Sequence, residues 1–326
     1  AANWPHHLVR SMHLPDKVEI IEVAPRDGLQ SQTRHYDVET KLRMLDLLAD
    51  AGFRTIEVTG FVRPDVIPQL ADGPELYRRL ERRRGVTYRV LCPNLRGAQR
   101  AAEEGVDEML GLIVASDSYN LKNARMTVEQ NVEQLLAMAK VSETSGIPMV
   151  VAIGCAMFCP YEGDTPPERV LGIIERLHDV GVRSVYCAIS VGLDSPATVG
   201  GLCSQITTRW PDLRLGLHMH NTNGMALASA YSAALNGASF FEGSICGIGG
   251  GIRMPYGMAP YGNVATEDLV HMFNECGVET GLDTLRVVDA AREIQTLLEL
   301  ETTHSYALQG AVKAIVRAQG EEMRGL

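Results

Sequence analysis

The sequence predicts an α/β fold, a (β/α)8 TIM barrel with extra C-terminal helices, and three observations carry that reading. Apolar, β-branched segments of strand length alternate with segments of helical period along nearly all of the 326 residues. Eight such repeats in a chain of this length suit a closed barrel better than an open doubly wound sheet. No glycine-rich dinucleotide fingerprint follows the first strand, and no linker rich in proline, serine or charge splits the chain. One domain over 1–326 is expected, with the barrel from about Val18 to Gly281 and a helical extension over about 282–326.

The repeats follow in order. Val18 to Val23 is a β-branched run ending in Ala24-Pro25-Arg26-Asp27-Gly28. Val38 to Ala51 carries Leu42, Leu45 and Leu48 on one helical face, and Gly52 ends it. Thr55 to Phe61 is the second strand, Pro74 to Arg84 the second helix, and Tyr88 to Cys92 the third strand. A short helix, Arg96 to Glu104, stops at Gly105 before the fourth strand, Glu108 to Ala115. Ser116 to Met126 reads as a polar loop, Val128 to Ser145 as a long helix, and Met149 to Cys155 as the fifth strand. Pro166 opens the next helix, where a missing N–H costs nothing. Ser184 to Val191 is the sixth strand, and Ser195 to Trp210 the helix after it. Leu213 to Leu217 leads into His218 and His220; Met225 to Asn236 is an Ala-rich helix, and Ser239 to Cys246 the eighth strand. A glycine-rich loop, Gly247 to Gly262, precedes the helix Thr266 to Cys276. Helices over roughly Asp283 to Leu300 and Ser305 to Gln319 finish the chain as a dimer contact or lid support.

Composition narrows the function. The chain is 45% hydrophobic and 21% charged, and its net charge of −10 leaves no basic footprint for nucleic acid. The cluster Arg78, Arg79, Arg82, Arg83 and Arg84 reads as a solvated helix end. No apolar run approaches the roughly 18 residues that mark a membrane span, and Ala1 to Pro15 lacks the layout of a secretory signal. Seven cysteines are too sparse, and odd in number, for a disulfide scaffold, so a cytoplasmic location is expected.

The chemistry centres on Gly216-Leu217-His218-Met219-His220-Asn221. Residues two apart on a strand share a side, so both imidazoles can aim at one point. Alone, the pair reads equally as two histidines at a polar strand end. The barrel makes it a test, because catalytic groups lie at the C-terminal ends of the strands. Arg26 and Asp27 end the first strand, Glu57 lies in the second, Asn94 and Ser116 follow the third and fourth, and Asn263 closes the loop after the eighth. All fall on one rim. Asp27, His218, His220 and Asn263 then offer two imidazoles and two oxygens. With water or substrate oxygens completing the set, this suits Mg2+ or Mn2+, with Zn2+ or Co2+ as alternatives.

At these residues the sequence resembles the 3-hydroxy-3-methylglutaryl-CoA lyase family, metal-dependent barrel lyases related to isopropylmalate and homocitrate synthases. The resemblance runs from Val18-Glu19-Ile20-Ile21-Glu22-Val23-Ala24-Pro25-Arg26-Asp27-Gly28-Leu29-Gln30 through Ile56 to Val62, Pro93-Asn94-Leu95 and Cys159-Pro160-Tyr161-Glu162-Gly163. It continues in His218 to Asn221 and Gly262 to Leu269. It implies metal ligation by Asp27, His218, His220 and Asn263, and catalytic roles for Arg26, Glu57 and Gln30. It also implies a retro-Claisen or retro-aldol cleavage of a 3-hydroxyacyl-CoA or related hydroxy acid, with CoA as part of the substrate, in a homodimer. Substrate contacts are expected at Asn94, Ser116 and Ser190 on the rim and at Arg253 and Tyr256 in the loop after the eighth strand.

The departures are specific. Where the family carries a catalytic cysteine before Pro-Tyr, this chain has Met254, in a loop about three residues longer, and a thioether cannot exchange a proton. Cys246, Tyr256 and Tyr261 are the nearby groups able to do so. The family's Gly-Asp-Thr after strand six reads Ala188-Ile189-Ser190, a strand-five arginine falls on Val150, and Asn221 stands where the lyase has Asp. Retained metal donors with altered neighbours point to related chemistry on a different substrate. A condensing acyltransferase or aldolase is the alternative, and a non-catalytic barrel the third reading.

Overall fold

The computed structural model describes residues 13–250 and 262–323, apart from the side chain of Asn123. Eight parallel strands close into a barrel in chain order: β1 (Glu19–Glu22), β2 (Thr55–Gly60), β3 (Thr87–Leu91), β4 (Glu108–Val114), β5 (Met149–Gly154), β6 (Ser184–Ile189), β7 (Arg214–Met219) and β8 (Phe240–Gly243). The ring shuts where β1 pairs with both β2 (Glu22 opposite Ile56) and β8 (Glu19 opposite Phe240). This is the barrel the alternating sequence predicts. Around it lie α1 (Val38–Ala51), α2 (Gly73–Arg79), α3 (Leu95–Glu104), α4 (Asp117–Ala124), α5 (Val128–Ser145), α6 (Pro167–Asp179), α7 (Pro196–Arg209), α8 (Ala226–Leu235) and α9 (Thr266–Glu275). Then come α10 (Thr284–Leu297), packed on α1 and α9, and α11 (Lys313–Met323). None of the described helices is long and apolar enough to cross a membrane.

Strand parity divides the core into two compartments. On β5, Met149, Val151 and Ile153 face the helices, while Val150 and Ala152 face the barrel lumen. On β6, Val185, Cys187 and Ile189 face out and Tyr186 and Ala188 face in; on β7, Leu215, Leu217 and Met219 face out. His218 and His220 therefore fall on the lumen side with Gly216. The same parity sends Glu57 of β2, Arg89 of β3 and Glu242 of β8 inward between outward-facing neighbours.

The helices start and stop where the local chemistry dictates. Asp37 caps α1 by accepting from Thr40 N at 2.8 Å, and Gly52 closes it in the left-handed region at φ 106°. Thr127 and Gln130 form a capping box at the start of α5.

Three expectations are corrected. The segment read as the polar loop Ser116 to Met126 contains α4. Ser116 caps it, accepting from Tyr119 N at 3.2 Å, and buried Asn120 ties it to Val114, Met126, Thr127 and Asn131. Polar side chains, not an apolar stripe, hold this helix, so periodicity does not show it. The last helix begins at Lys313 rather than Ser305. The stretch before it is held by the Asp268 carboxylate, which accepts from Ser305 Oγ, Tyr306 N and Ala307 N at 3.2, 3.0 and 2.7 Å. The predicted second helix stops at Arg79. Its arginine cluster meets acidic partners, Arg79 with Glu39, Arg82 with Asp107 and Arg83 with Asp46 and Asp50.

Gly216 carries a local constraint. A Cβ there would overlap the ring of Phe240, which is itself wedged edge-on to Tyr186 and under the Arg214 guanidinium. Gly216→Ala is expected to cost about 1–3 kcal/mol through overpacking, read as a lower urea midpoint, and Phe240→Leu in the same chain is expected to restore part of it. An unchanged midpoint for the single variant would remove this account of the glycine.

Candidate active site

The mouth of the barrel is built from both ends of the chain. After β1 the backbone makes one wide turn, Ala24–Gly28, in which the N–H groups of Arg26 and Asp27 both donate to Val23 O, at 3.1 and 2.8 Å. The turn lifts both side chains onto the rim. Gly28 ends it against the loop after β8: a Cβ would come within 2.8 Å of Ile248 and 2.9 Å of Ser244 Oγ. Glycine is needed for that approach. From the other side, His220 bridges Asn263, and Val264 N donates to Met219 O at 2.9 Å. The returning chain thus lays Asn263 alongside the end of β7.

One ligand atom from each of Asp27, His218 and His220 lies within 4.8 Å of the others, and all three residues are buried. His218 Nε2 stands 4.0 Å from Asp27 Oδ2. Asn263 Nδ2 donates to Asp27 Oδ2 at 2.7 Å, while Asn263 Oδ1 is buried with no partner. An orphaned amide oxygen next to a carboxylate and two imidazoles is a donor set for a hard or borderline divalent cation. The four predicted donors therefore come together and fit such an ion.

Charge reinforces the fit. Burial opposes ionisation of Asp27, but Arg26 and then the two histidines outweigh it and hold the carboxyl well below its usual range. Burial, then His218, pushes His220 down to about 4, so it is a neutral ligand at pH 7. Burial also acts against charge on His218, yet Glu242 and Asp27 overcome it and set its pKa above 6.5. Arg26 is fixed from two sides: Nε donates to Glu57 Oε1 and Nη1 to Asp27 Oδ1.

Several residues at the site carry no sequence motif. Glu242 Oε2 lies 3.0 Å from His218 Nδ1, and Glu242 Oε1 accepts from Arg89 Nη1 at 2.6 Å. Arg89 Nε donates to Glu108 Oε2, also at 2.6 Å. Tyr186 stacks on the His218 ring, centroids 5.9 Å apart. The available signal was a charged residue at an inward position of an apolar strand, as at Arg89 and Glu242.

Most of the remaining predicted positions make local structural contacts. Asn94 caps α3 by accepting from Gly97 N and borders a surface cleft of about 410 Å³ with Arg96 and Met126. Ser116 caps α4 and accepts from Cys159 Sγ. Ser190 Oγ accepts from Cys155 N at 2.8 Å. Gln30 is half-buried, its Oε1 without a partner. Cys246 is buried, with its thiol on Ala291 O and its pKa raised by burial, so it is committed to the helix layer. Arg253, Met254, Tyr256 and Tyr261 lie outside the described residues.

Residues 17–294 match the family model described as HMGL-like. The chain is 34% identical to the 3-hydroxy-3-isohexenylglutaryl-CoA/hydroxy-methylglutaryl-CoA lyase of Pseudomonas aeruginosa, over 88% of this chain and 95% of that protein. The Bacillus subtilis HMG-CoA lyase structure superposes with a TM-score of 0.86 at 32% identity, over 91% of this chain and 98% of that one. An Acinetobacter baumannii HMG-CoA lyase, solved with coenzyme A and 3-methylmalate, gives a TM-score of 0.85 at 30% identity, over 91% and 96%.

The donor set has a pH signature. Binding a cation at His218 expels any proton it carries, whereas His220 is already neutral above about pH 5. Mn2+ affinity is therefore expected to fall about tenfold per pH unit below the His218 pKa, with one proton released per ion in calorimetry across buffers of different ionisation enthalpy. Release of two protons at pH 6 would contradict the assignment of His220.

Proposed function

The chain belongs to the HMGL-like family, and from that premise we propose that it is a divalent-metal-dependent carbon–carbon lyase acting on a 3-hydroxyacyl-CoA. The observation that carries the reading is the convergence of Asp27, His218 and His220 at the barrel mouth, beside the unpartnered Asn263 oxygen and with Arg26 clamped next to them. The reaction class is the one named for the relatives that match over most of their length.

The 3-hydroxyl loses its proton, the C2–C3 bond breaks, and its electron pair passes to the thioester as an enolate. A ketone leaves, and the enolate takes up a proton to give the acyl-CoA. A cation held by Asp27, His218, His220 and Asn263, Mg2+ or Mn2+ before Zn2+ or Co2+, would when bound lower the hydroxyl pKa and polarise the oxygens it contacts. The protein's own share lies in Arg26. Clamped by Glu57 and Asp27, its guanidinium is preorganised to stabilise the negative enolate oxygen, a role that needs a fixed donor rather than a mobile one. Glu57 has no exposure, and burial, the largest influence on it, raises its pKa; its contact with Arg26 gives it a positioning role.

Asn221, which stands where the lyase has Asp, accepts from Ala226 N at 3.2 Å at the start of α8, so local structure accounts for it without a condensing activity. The buried, charged donor set speaks equally against a non-catalytic barrel, because apolar side chains would fill the same space at less desolvation cost. The reading includes a reducing, cytoplasmic setting, supported by seven unpaired cysteines, and a homodimer, supported by α11, which buries no residue within one chain.

Purified protein with Mg2+ and 3-hydroxy-3-methylglutaryl-CoA is expected to release acetoacetate and acetyl-CoA. Arg26→Met is expected to lower kcat by about 10²–10³ with a smaller change in KM. Turnover no faster than in His218→Ala, on this thioester and on its longer-branched 3-hydroxy-3-isohexenyl counterpart, would reject the lyase.

A further inference from the structure

Arg89 is among the largest side chains with no exposure, and it stands inside the barrel. Its guanidinium joins three strands: Nε holds Glu108 of β4 and Nη1 holds Glu242 of β8, each at 2.6 Å, while the chain itself belongs to β3. Glu242 uses its other oxygen on His218 Nδ1 at 3.0 Å. Around this ladder the lumen is apolar, with Leu91, Leu110, Val150, Tyr186 and Phe240.

We infer that Arg89 is a positioning residue for the metal centre, acting through Glu242 on the His218 imidazole. The argument starts from what the arrangement fails to do. A buried guanidinium between carboxylates is a poor source of stability, because desolvation offsets the attraction. Here the fork is also incompletely used, since Nη2 is buried with no partner. An apolar side chain would suit the surrounding lumen better.

What Arg89 does supply is direction. A carboxylate that accepts from one ring nitrogen of a histidine sets the tautomer and the ring plane, leaving the other nitrogen for a metal. Glu242 does this at Nδ1, so Nε2 is the free nitrogen, and Nε2 is the one 4.0 Å from Asp27 Oδ2. Arg89 fixes which oxygen of Glu242 turns to His218 by engaging the other. The guanidinium is itself anchored through Nε on Glu108, so the oxygen it holds is fixed, and a carboxylate held at both oxygens, by Arg89 and by His218, does not rotate. Tyr186 closes the remaining side by stacking on the ring. His218 is thus oriented by residues on β3, β6 and β8, and the part on β3 lies one contact removed from any ligand.

The inference rests on the metal reading above, so its test uses ion binding and not turnover. Mn2+ titration followed by electron paramagnetic resonance is made on the whole chain, with Arg89→Met, Arg89→Gln and, as a control for core damage, Leu110→Ala. Both Arg89 variants are expected to bind Mn2+ about 10–100-fold more weakly, while Leu110→Ala stays within about twofold. If Arg89→Met does not fold, as judged by circular dichroism, Arg89→Gln carries the measurement, because glutamine keeps hydrogen-bonding groups without cation or fork. A folded Arg89 variant that binds Mn2+ as the unmodified chain does, or a Leu110→Ala loss as large as that of Arg89→Gln, overturns the inference and leaves the lyase reading standing. A chain that binds no Mn2+ in any form overturns both.

Discussion

Charge enclosed in a closed sheet is the constraint on which the rest of this molecule depends. The lumen and its rim hold two buried guanidiniums, Arg89 and Arg26, and the carboxylates Asp27, Glu57, Glu108 and Glu242 are shared between them. None of these charges could remain in so apolar a space alone. Each is matched, and the matching ties β1 to β2 and β3 to β4 and β8. The site is rigid for the same reason. Its acidic groups are already spoken for by fixed partners, and the oxygen without one among the metal donors is that of Asn263.

The outer architecture was legible in the sequence because it rests on local rules. Period-two strands, period-3.6 helices, proline starts and glycine stops all act over a few residues, and all eight strands fall where the apolar runs lie. The His-x-His pair was legible for a related reason: two residues on one strand share a side whatever the rest of the chain does. Asp27 and Asn263 could be joined to it only by assuming the barrel, which brings positions 236 residues apart into hydrogen-bond range.

The layer behind the donors was not legible. Arg89 and Glu242 are 153 residues apart, and nothing in either neighbourhood names the other. A charged residue in an apolar strand signals that a partner exists without saying which one. The α4 segment failed differently. Its stability comes from Asn120 and Ser116 bonding to backbone, so the periodic signal that reveals other helices is missing. Asp268 shows the same limit at the far end, where a carboxylate on α9 holds 305–307 out of helix and delays the last helix to Lys313.

Strand parity on β7 has a consequence for how such a chain can change over time. Gain or loss of one residue between Leu213 and His218 would exchange the two faces of the strand, sending both imidazoles into the helix layer and turning Leu217 and Met219 to the lumen. Lengthening is therefore confined to the rim, where the connections after each strand absorb it without rotating any donor. A lineage with this barrel can acquire new substrates by editing those connections, while the six residues of β7 keep their spacing as a reading frame keeps its phase.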